Sequence, residues 1–398
     1  MTDQRPESHG SSDSKLFTPG PLTTSASVKH AMLHDIGAWD APLRALVEEI
    51  RSGLLDAAGT SKEAGWECVL MQGSGSFGVE SAIASLTPRD ARLAVVANGA
   101  YGERMITMGE MLGIDVVPMR FPEDRVPSAS DIDAMLAADP TIHTVAIVHC
   151  ETTTGLLNDV AAVGEVVRGR RRRLLIDAMS SFGAYALDLE ALGCDVLISG
   201  ANKCIEGVPG FSFVFARRDL LVEAERGTWP RSHSLDLVDQ WKAFEASGKF
   251  RFTPPTQVLL AFAQALREFR AEGGVSAREK RYRANHGALL EGMRRLGFTP
   301  FVAPDAQSHI ITTFHCPADD AFEFVEFYDR LTERGLVIYP GKVTGSQCFR
   351  IGNIGQLFPS DMEHLVAAIE AVSTEMGFDP AARLAKHEKA PPSPPPSH

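Results

Sequence analysis

No apolar run in this 398-residue sequence approaches the roughly 18 residues that a membrane-spanning helix needs, and no signal peptide is visible. No membrane partner is expected, and the expected location is the cytoplasm. Basic residues are in deficit: 39 Lys and Arg face 51 Asp and Glu, a formal net charge of −12. Non-specific nucleic-acid binding rests on positive surface, so no nucleic-acid partner is expected. Cysteine is sparse and scattered, at Cys68, Cys150, Cys194, Cys204, Cys316 and Cys348. None forms a C-x-x-C pair, so neither a zinc site nor a redox dithiol is indicated, and reduced thiols suit the chain better than a disulfide framework. His34, His149 and His233 are not spaced as ligands, and no metal is expected. Internal repeats are absent.

What is present is an alternation. Short apolar runs at Cys68–Met71, Leu93–Ala97, Asp115–Pro118, Thr144–His149, Leu174–Ile176 and Val196–Ile198 are mostly followed by segments with helical spacing, such as Val79, Ile83 and Leu86. Apolar strands alternating with helices predict an α/β fold, a mostly parallel sheet covered on both faces. "GFSFVFARR" adds a strand, and helices are expected at Leu235–Ala246 and Pro255–Glu272. From Val275 the pattern changes to a long amphipathic helix ending near Leu296. It is followed by the strand "SHIITTF", the helix "AFEFVEFYDRL", strands near Val337 and at "QCFRI", and a last helix from Ser360. The division expected is a disordered N-terminus (1–14), a large domain (15–272), a smaller α+β domain (273–378) and a Pro-rich tail (379–398).

The segment "VLMQGSGSFGVESAIASL", Val69 to Leu86, contains G-x-G-x-x-G at Gly73, Gly75 and Gly78. A dinucleotide site also needs an acidic residue about 20 residues later, at the end of the next strand. That strand ends in "VVANGAYGE", with Asn98 and Gly99 in the place of the carboxylate. No Lys-Ser/Thr follows the glycines, which excludes a P-loop. The remaining reading is a loop for a single phosphate, with glycines for close approach, helix-start amides to attract the anion, and the hydroxyls of Ser74 and Ser76. A tight strand-to-helix turn without a ligand explains the loop equally well by itself.

Two further positions shift that balance. "RRRLLIDAMSSFGA" puts Asp177 at the C-terminal end of a buried strand, and "DVLISGANKCIEGVPG" puts Lys203 just past the end of another. Open parallel sheets bind ligands along that edge. A carboxylate, an amine and a one-phosphate loop together are what pyridoxal 5'-phosphate requires. The amine bonds the aldehyde, the carboxylate keeps the pyridine nitrogen protonated, and the loop anchors the phosphate. Either residue alone would more simply be a helix cap or a surface lysine.

These segments resemble the class V, fold type I, pyridoxal-phosphate-dependent aminotransferases. Within them, they resemble the branch that exchanges the amine of 2-aminoethylphosphonate with pyruvate in phosphonate catabolism. The resemblance runs from Leu16 to about Ile369 and rests on "LFTPGPLTTSASVKHAML", "QGSGSFGVE", "NGAYGER", "HCETTTG", "LIDAMSSFGA", "SGANKCIEGVPGF", "RFTPPT", "YPGK" and "CFRIGNIG". It implies a seven-stranded, mostly parallel sheet between helices, and a homodimer with shared active sites. It implies Lys203 as the amine and Asp177 as the partner of the ring nitrogen. Ser74, Gly75 and Ser76 become the phosphate loop, Tyr101 the ring-stacking aromatic and Thr152 the contact of the ring oxygen. Asn202 becomes the polar neighbour of the lysine, Thr253 a phosphate contact from the other subunit, and Arg350 the holder of the substrate's acid group. Two positions depart from the family pattern: Ser76 stands where threonine is common, and His233 where an apolar residue is usual. Alanine– and serine–glyoxylate aminotransferases share Lys203, Asp177 and Arg350, so those residues do not separate the two activities.

Other features have plainer readings. Arg168 and Arg170–Arg173 follow a helix, whose C-terminal end favours cations, and read as a solvated cap. Cys204 and Cys348 raise a cysteine-desulfurase reading, but Cys348 falls in an expected strand and reads as a buried thiol. His149 ends a strand beside the expected cofactor and is either a lining residue or a packed one.

Overall fold

The computed structural model describes residues 13–378 and 380. The expected Pro-rich tail therefore lies, apart from Pro380, outside the described residues. So does the expected disordered N-terminus, except Asp13 and Ser14; the Asp13 carboxylate accepts from Lys29 Nζ at 2.5 Å.

Seven strands form the central sheet: β1 (Trp66–Gln72), β2 (Arg92–Ala97), β3 (Asp115–Arg120), β4 (Ile142–Val148), β5 (Arg173–Asp177), β6 (Val196–Gly200) and β7 (Phe211–Arg217). Their spatial order is β1-β7-β6-β5-β4-β2-β3. Most of these strands are apolar along nearly their whole length because helices cover both faces of the sheet. Helices Gly75–Leu86, Ala100–Met111, Ala129–Ala138 and Val160–Gly169 follow β1 to β4 and make the crossovers that parallel strands require. β7 is the exception. It returns from β6 through a short turn and runs antiparallel to both β6 and β1. That turn, Ala201–Gly210, contains Lys203.

The expected C-terminal α+β pattern folds as the helix Gly274–Leu296, an antiparallel three-stranded sheet and the helices Phe324–Glu333 and Pro359–Met376. The sheet strands are β8 (Ile311–His315), β9 (Tyr339–Pro340) and β10 (Cys348–Gly352), in the order β8-β10-β9. It has its own apolar core, with Leu289, Phe314, Phe327, Phe349 and Leu365. Phe17 belongs to that core as well. The segment before β1 supplies helices Ala26–Ala31 and Ala41–Ala57. It also supplies a two-residue strand, Lys15–Leu16, that pairs in parallel with Leu336–Val337. From this two-stranded pairing beside the small core, the described chain crosses the C-terminal edge of the large sheet.

Candidate active site

β5 and β6 are neighbours, with Asp177 opposite Ile198, so the end of β5 and the turn after β6 share one edge. Asp177 is buried, and its Oδ1 accepts the Met179 N–H at 2.8 Å. Burial pushes its carboxyl up to about 6, against the pull of that hydrogen bond and of the Lys203 charge. Burial also pulls the Lys203 amine down to about 8, opposed by the Asp177 carboxylate and assisted by the Arg350 cation. The amine therefore lies within reach of the fields of both the carboxylate and the guanidinium. Lys203 Nζ donates to the carbonyl of Pro19 at 2.8 Å. Gly20 has φ +123°, and a Cβ there would lie 2.7 Å from the Asn202 carbonyl and 2.9 Å from Lys203 Nζ. Only glycine allows the N-terminal arm to lie this close over the lysine.

The glycine loop leaves β1 at Gly73, φ +105°, and Ser74 precedes the first residue of the helix, Gly75. A Cβ on Gly75 would strike the Met179 side chain, with Cε at 2.5 Å, so the loop packs on the residue whose amide holds Asp177. Ser76 Oγ accepts from Arg104 at 3.0 Å, and that guanidinium sits 4.8 Å from the Tyr101 ring centroid. Tyr101 is half-buried at the start of its helix, where its N–H donates to Glu151 Oε2 at 3.2 Å. Burial raises the Glu151 carboxyl, while hydrogen bonds from Thr153 and Tyr101 hold it down.

Arg350, on β10, is fully buried. Its Nε donates to the Pro340 carbonyl at 2.9 Å, and its Nη1 to the Thr152 carbonyl at 2.7 Å. Its Nη2 is buried and has no hydrogen-bond partner among the described residues. Burial lowers its pKa, but a guanidinium keeps its charge. An uncompensated buried N–H on a cation is the mark of a missing anionic partner.

Gly75, Ser76, Tyr101, Thr152, Asp177, Lys203 and Arg350 are thus joined through shared contacts and fields, and Ser74 adjoins Gly75 in the chain. Asn202 is half-buried beside Lys203. Thr253 is exposed, its carbonyl accepting from Gln72 Nε2, one residue before Gly73. His233 is exposed, with its ring edge-on to Phe252 at 5.9 Å. His149 is a packed residue: its Nδ1 is 2.9 Å from Ser181 Oγ, its ring meets Tyr185, and burial lowers it to about 4. Cys204 and Cys348 are buried, with thiols pushed up by burial, which suits neither as a nucleophile. In the arginine run, Arg170 forks onto Asp133 and Arg173 reaches Asp195 and Glu223.

The sequence reading missed three contributors. Arg104 and Glu151 stand inside the quoted "NGAYGER" and "HCETTTG", where a charged residue beside a cofactor segment was the available signal. Pro19 acts through its carbonyl and had none.

A pyridoxal-phosphate-dependent fold type I scaffold with this site defines a class, and comparison with known proteins agrees. The family model "Aminotransferase class-V" matches residues 39–353, and the chain belongs to that family. It is 47% identical over 357 residues to the 2-aminoethylphosphonate–pyruvate transaminase of Vibrio vulnificus, covering 89% of this chain and 96% of that one. The protein of the same name from Salmonella paratyphi B is 49% identical over the same shares. Among solved structures, ureidoglycine–glyoxylate aminotransferase from Bacillus subtilis shares the fold. Its TM-score is 0.84 at 20% identity, covering 94% of this chain and 98% of that chain.

Proposed function

We propose that this protein transfers the amino group of 2-aminoethylphosphonate to pyruvate, giving phosphonoacetaldehyde and L-alanine, with pyridoxal 5'-phosphate as cofactor. The observation that carries the reading is Arg350, a buried guanidinium held at two corners by carbonyls with Nη2 left unpartnered. Both substrates carry an acid group, a phosphonate on one and a carboxylate on the other. A planar, permanently charged fork serves either. The names of the relatives at 47% and 49% identity support the choice of donor and acceptor.

The residues suit the cofactor. Lys203 would hold its aldehyde, Asp177 its ring nitrogen, Tyr101 and Thr152 its ring, and Ser74, Gly75, Ser76 and Arg104 its phosphate, with Asn202 beside the amine. Bound there, the group supplies an aldehyde and an electron-withdrawing ring. The chain supplies the rest. Arg350 orients the donor by its phosphonate. Lys203 Nζ, weakly basic through burial, takes the proton from the amine-bearing carbon and, in the second half, returns one to C2 of the pyruvate skeleton. The Pro19 carbonyl accepts from the amine and holds the arm against it.

We also infer a homodimer in which Thr253 of one protomer completes the phosphate site of the other. Phe77 and Phe252, exposed by 49% and 43%, flank the glycine loop and Thr253 and give that interface apolar surface. The division into domains 15–272 and 273–378, a cytoplasmic location and a role in phosphonate catabolism belong to the same proposal. Free cysteines suit a reducing compartment.

The test is a visible spectrum of the purified protein with pyridoxal phosphate. 2-Aminoethylphosphonate should bleach the absorbance, pyruvate should restore it, and Lys203→Ala should lack it. Faster turnover of serine or alanine with glyoxylate would overturn the choice of substrates.

A further inference from the structure

Just after Lys203, three donors converge on a buried carboxylate. Glu206 is 4% exposed and has φ +66°, in the left-handed region that a glutamate seldom occupies. Its N–H donates to the Lys203 carbonyl at 2.7 Å, so the turn that places Glu206 also places Lys203. Glu206 Oε1 accepts from Tyr282 Oη at 2.6 Å and Arg281 Nη2 at 2.7 Å, with Arg278 Nη1 at 3.3 Å. Arg278 also donates to the Cys204 carbonyl. All three donors project from the Gly274–Leu296 helix.

The same side chains hold the loop that follows β10. Arg281 Nη1 donates to the carbonyls of Gly355 at 2.7 Å and Leu357 at 3.1 Å. The Gly355 N–H donates to Tyr282 Oη at 3.2 Å. That loop begins where the strand carrying Arg350 ends. One buried network therefore ties the turn of the amine to the loop beneath the anion-holding arginine. Apolar side chains of similar volume would stabilise the fold as well as a buried ionic cluster does, but they would not dictate one register between two segments. A non-glycine residue kept in a disfavoured backbone region points the same way.

We propose that Glu206 is a positioning residue that sets the span between Lys203 Nζ and the Arg350 fork, and so the distance a substrate must bridge between its reacting carbon and its acid group. The inference rests on Lys203 being the cofactor-bearing amine.

Glu206→Gln in the holoenzyme removes the charge and keeps the shape. Glu272→Gln is the control. Glu272 pairs with Arg278 at 2.7 Å and Arg281 at 2.8 Å and makes no hydrogen bond to either loop among the described residues. Glu206→Gln should raise KM about tenfold for both acidic substrates while kcat stays within about threefold. Amide exchange at 353–357 should quicken. Glu272→Gln should leave both unchanged. Tyr282→Phe cuts the hydroxyl joining Glu206 to Gly355 without removing charge. It should act in the same direction, and it replaces Glu206→Gln should that variant not fold. Wild-type KM and exchange in Glu206→Gln and Tyr282→Phe, or an equal KM rise in Glu272→Gln, would overturn the proposal. Failure of the wild type to develop visible absorbance with pyridoxal phosphate would instead strike the reading of Lys203 and take this proposal with it.

Discussion

Arg350 Nη1 donates to the main-chain carbonyl of Thr152 at 2.7 Å, across 198 residues of sequence. An arginine of the small sheet is thereby aligned by the segment that carries Thr152. On the function proposed above, substrate orientation and cofactor orientation would share this one contact.

Arg350→Lys keeps a positive charge but loses the fork. An ammonium cannot hold the Pro340 and Thr152 carbonyls and an acid group in one plane. Loss of kcat/KM by about 100-fold or more, near 3 kcal/mol, is expected for both half-reactions. Steady-state kinetics with each substrate varied in turn measures it. Unchanged values for both would mean that another group holds the anion.

Asp177 yields a pH-dependent prediction. Its folded pKa, about 6, lies above the ordinary value of 3.8 because it is buried. The folded apoenzyme therefore binds this proton more tightly than the unfolded chain, and stability is lost as pH rises through that window. Asn mimics the protonated form. Asp177→Asn apoenzyme should match wild type near pH 3 and exceed it by about 3 kcal/mol above pH 6.5. The holoenzyme should lose most of its turnover. Denaturant unfolding across the pH range checks the first, and an apoenzyme no more stable at pH 7 than wild type contradicts it.

Gly20→Ala places a methyl against the Asn202 carbonyl and Lys203 Nζ at a backbone φ of +123°. Strain and displacement of the arm should cost about 1–3 kcal/mol. Visible absorbance should also develop more slowly when cofactor is added to the apoenzyme. Normal development of the band alongside normal stability would show that the arm is not close-fitting in solution.

For the dimer, Phe77→Asp with Phe252→Asp should yield a monomer near 43.1 kDa with weakened hold on the cofactor. Thr253→Ala should weaken cofactor binding without dissociating the subunits. Sedimentation equilibrium reads the mass and dialysis the cofactor loss. A wild-type monomer that retains cofactor would refute a shared site.

Much of the fold is legible in the sequence because its signals are local. A buried strand is an apolar run, its covering helix shows a 3.6-residue period, and a phosphate loop needs glycines at a strand-to-helix junction. Cys68–Met71 lies inside β1, and Val196–Ile198 inside β6. The ends were less legible: the helices before β1 and the strand Lys15–Leu16 were not read. The direction of β7 was not read either, since an apolar run looks the same whichever way it points.

The chain's own pattern of residues determined the layered α/β plan, the glycine loop, and the placing of Asp177 and Lys203 at strand ends. Each of these follows from spacing along a short stretch. Tertiary structure alone decided that Pro19 covers Lys203 from 184 residues away, that Thr152 braces Arg350, and that Glu206 meets three side chains of a distant helix. The first two contacts end on main-chain carbonyls, which every residue possesses. Such contacts are selected by the path of the backbone rather than by side-chain identity, so they leave no mark in the sequence.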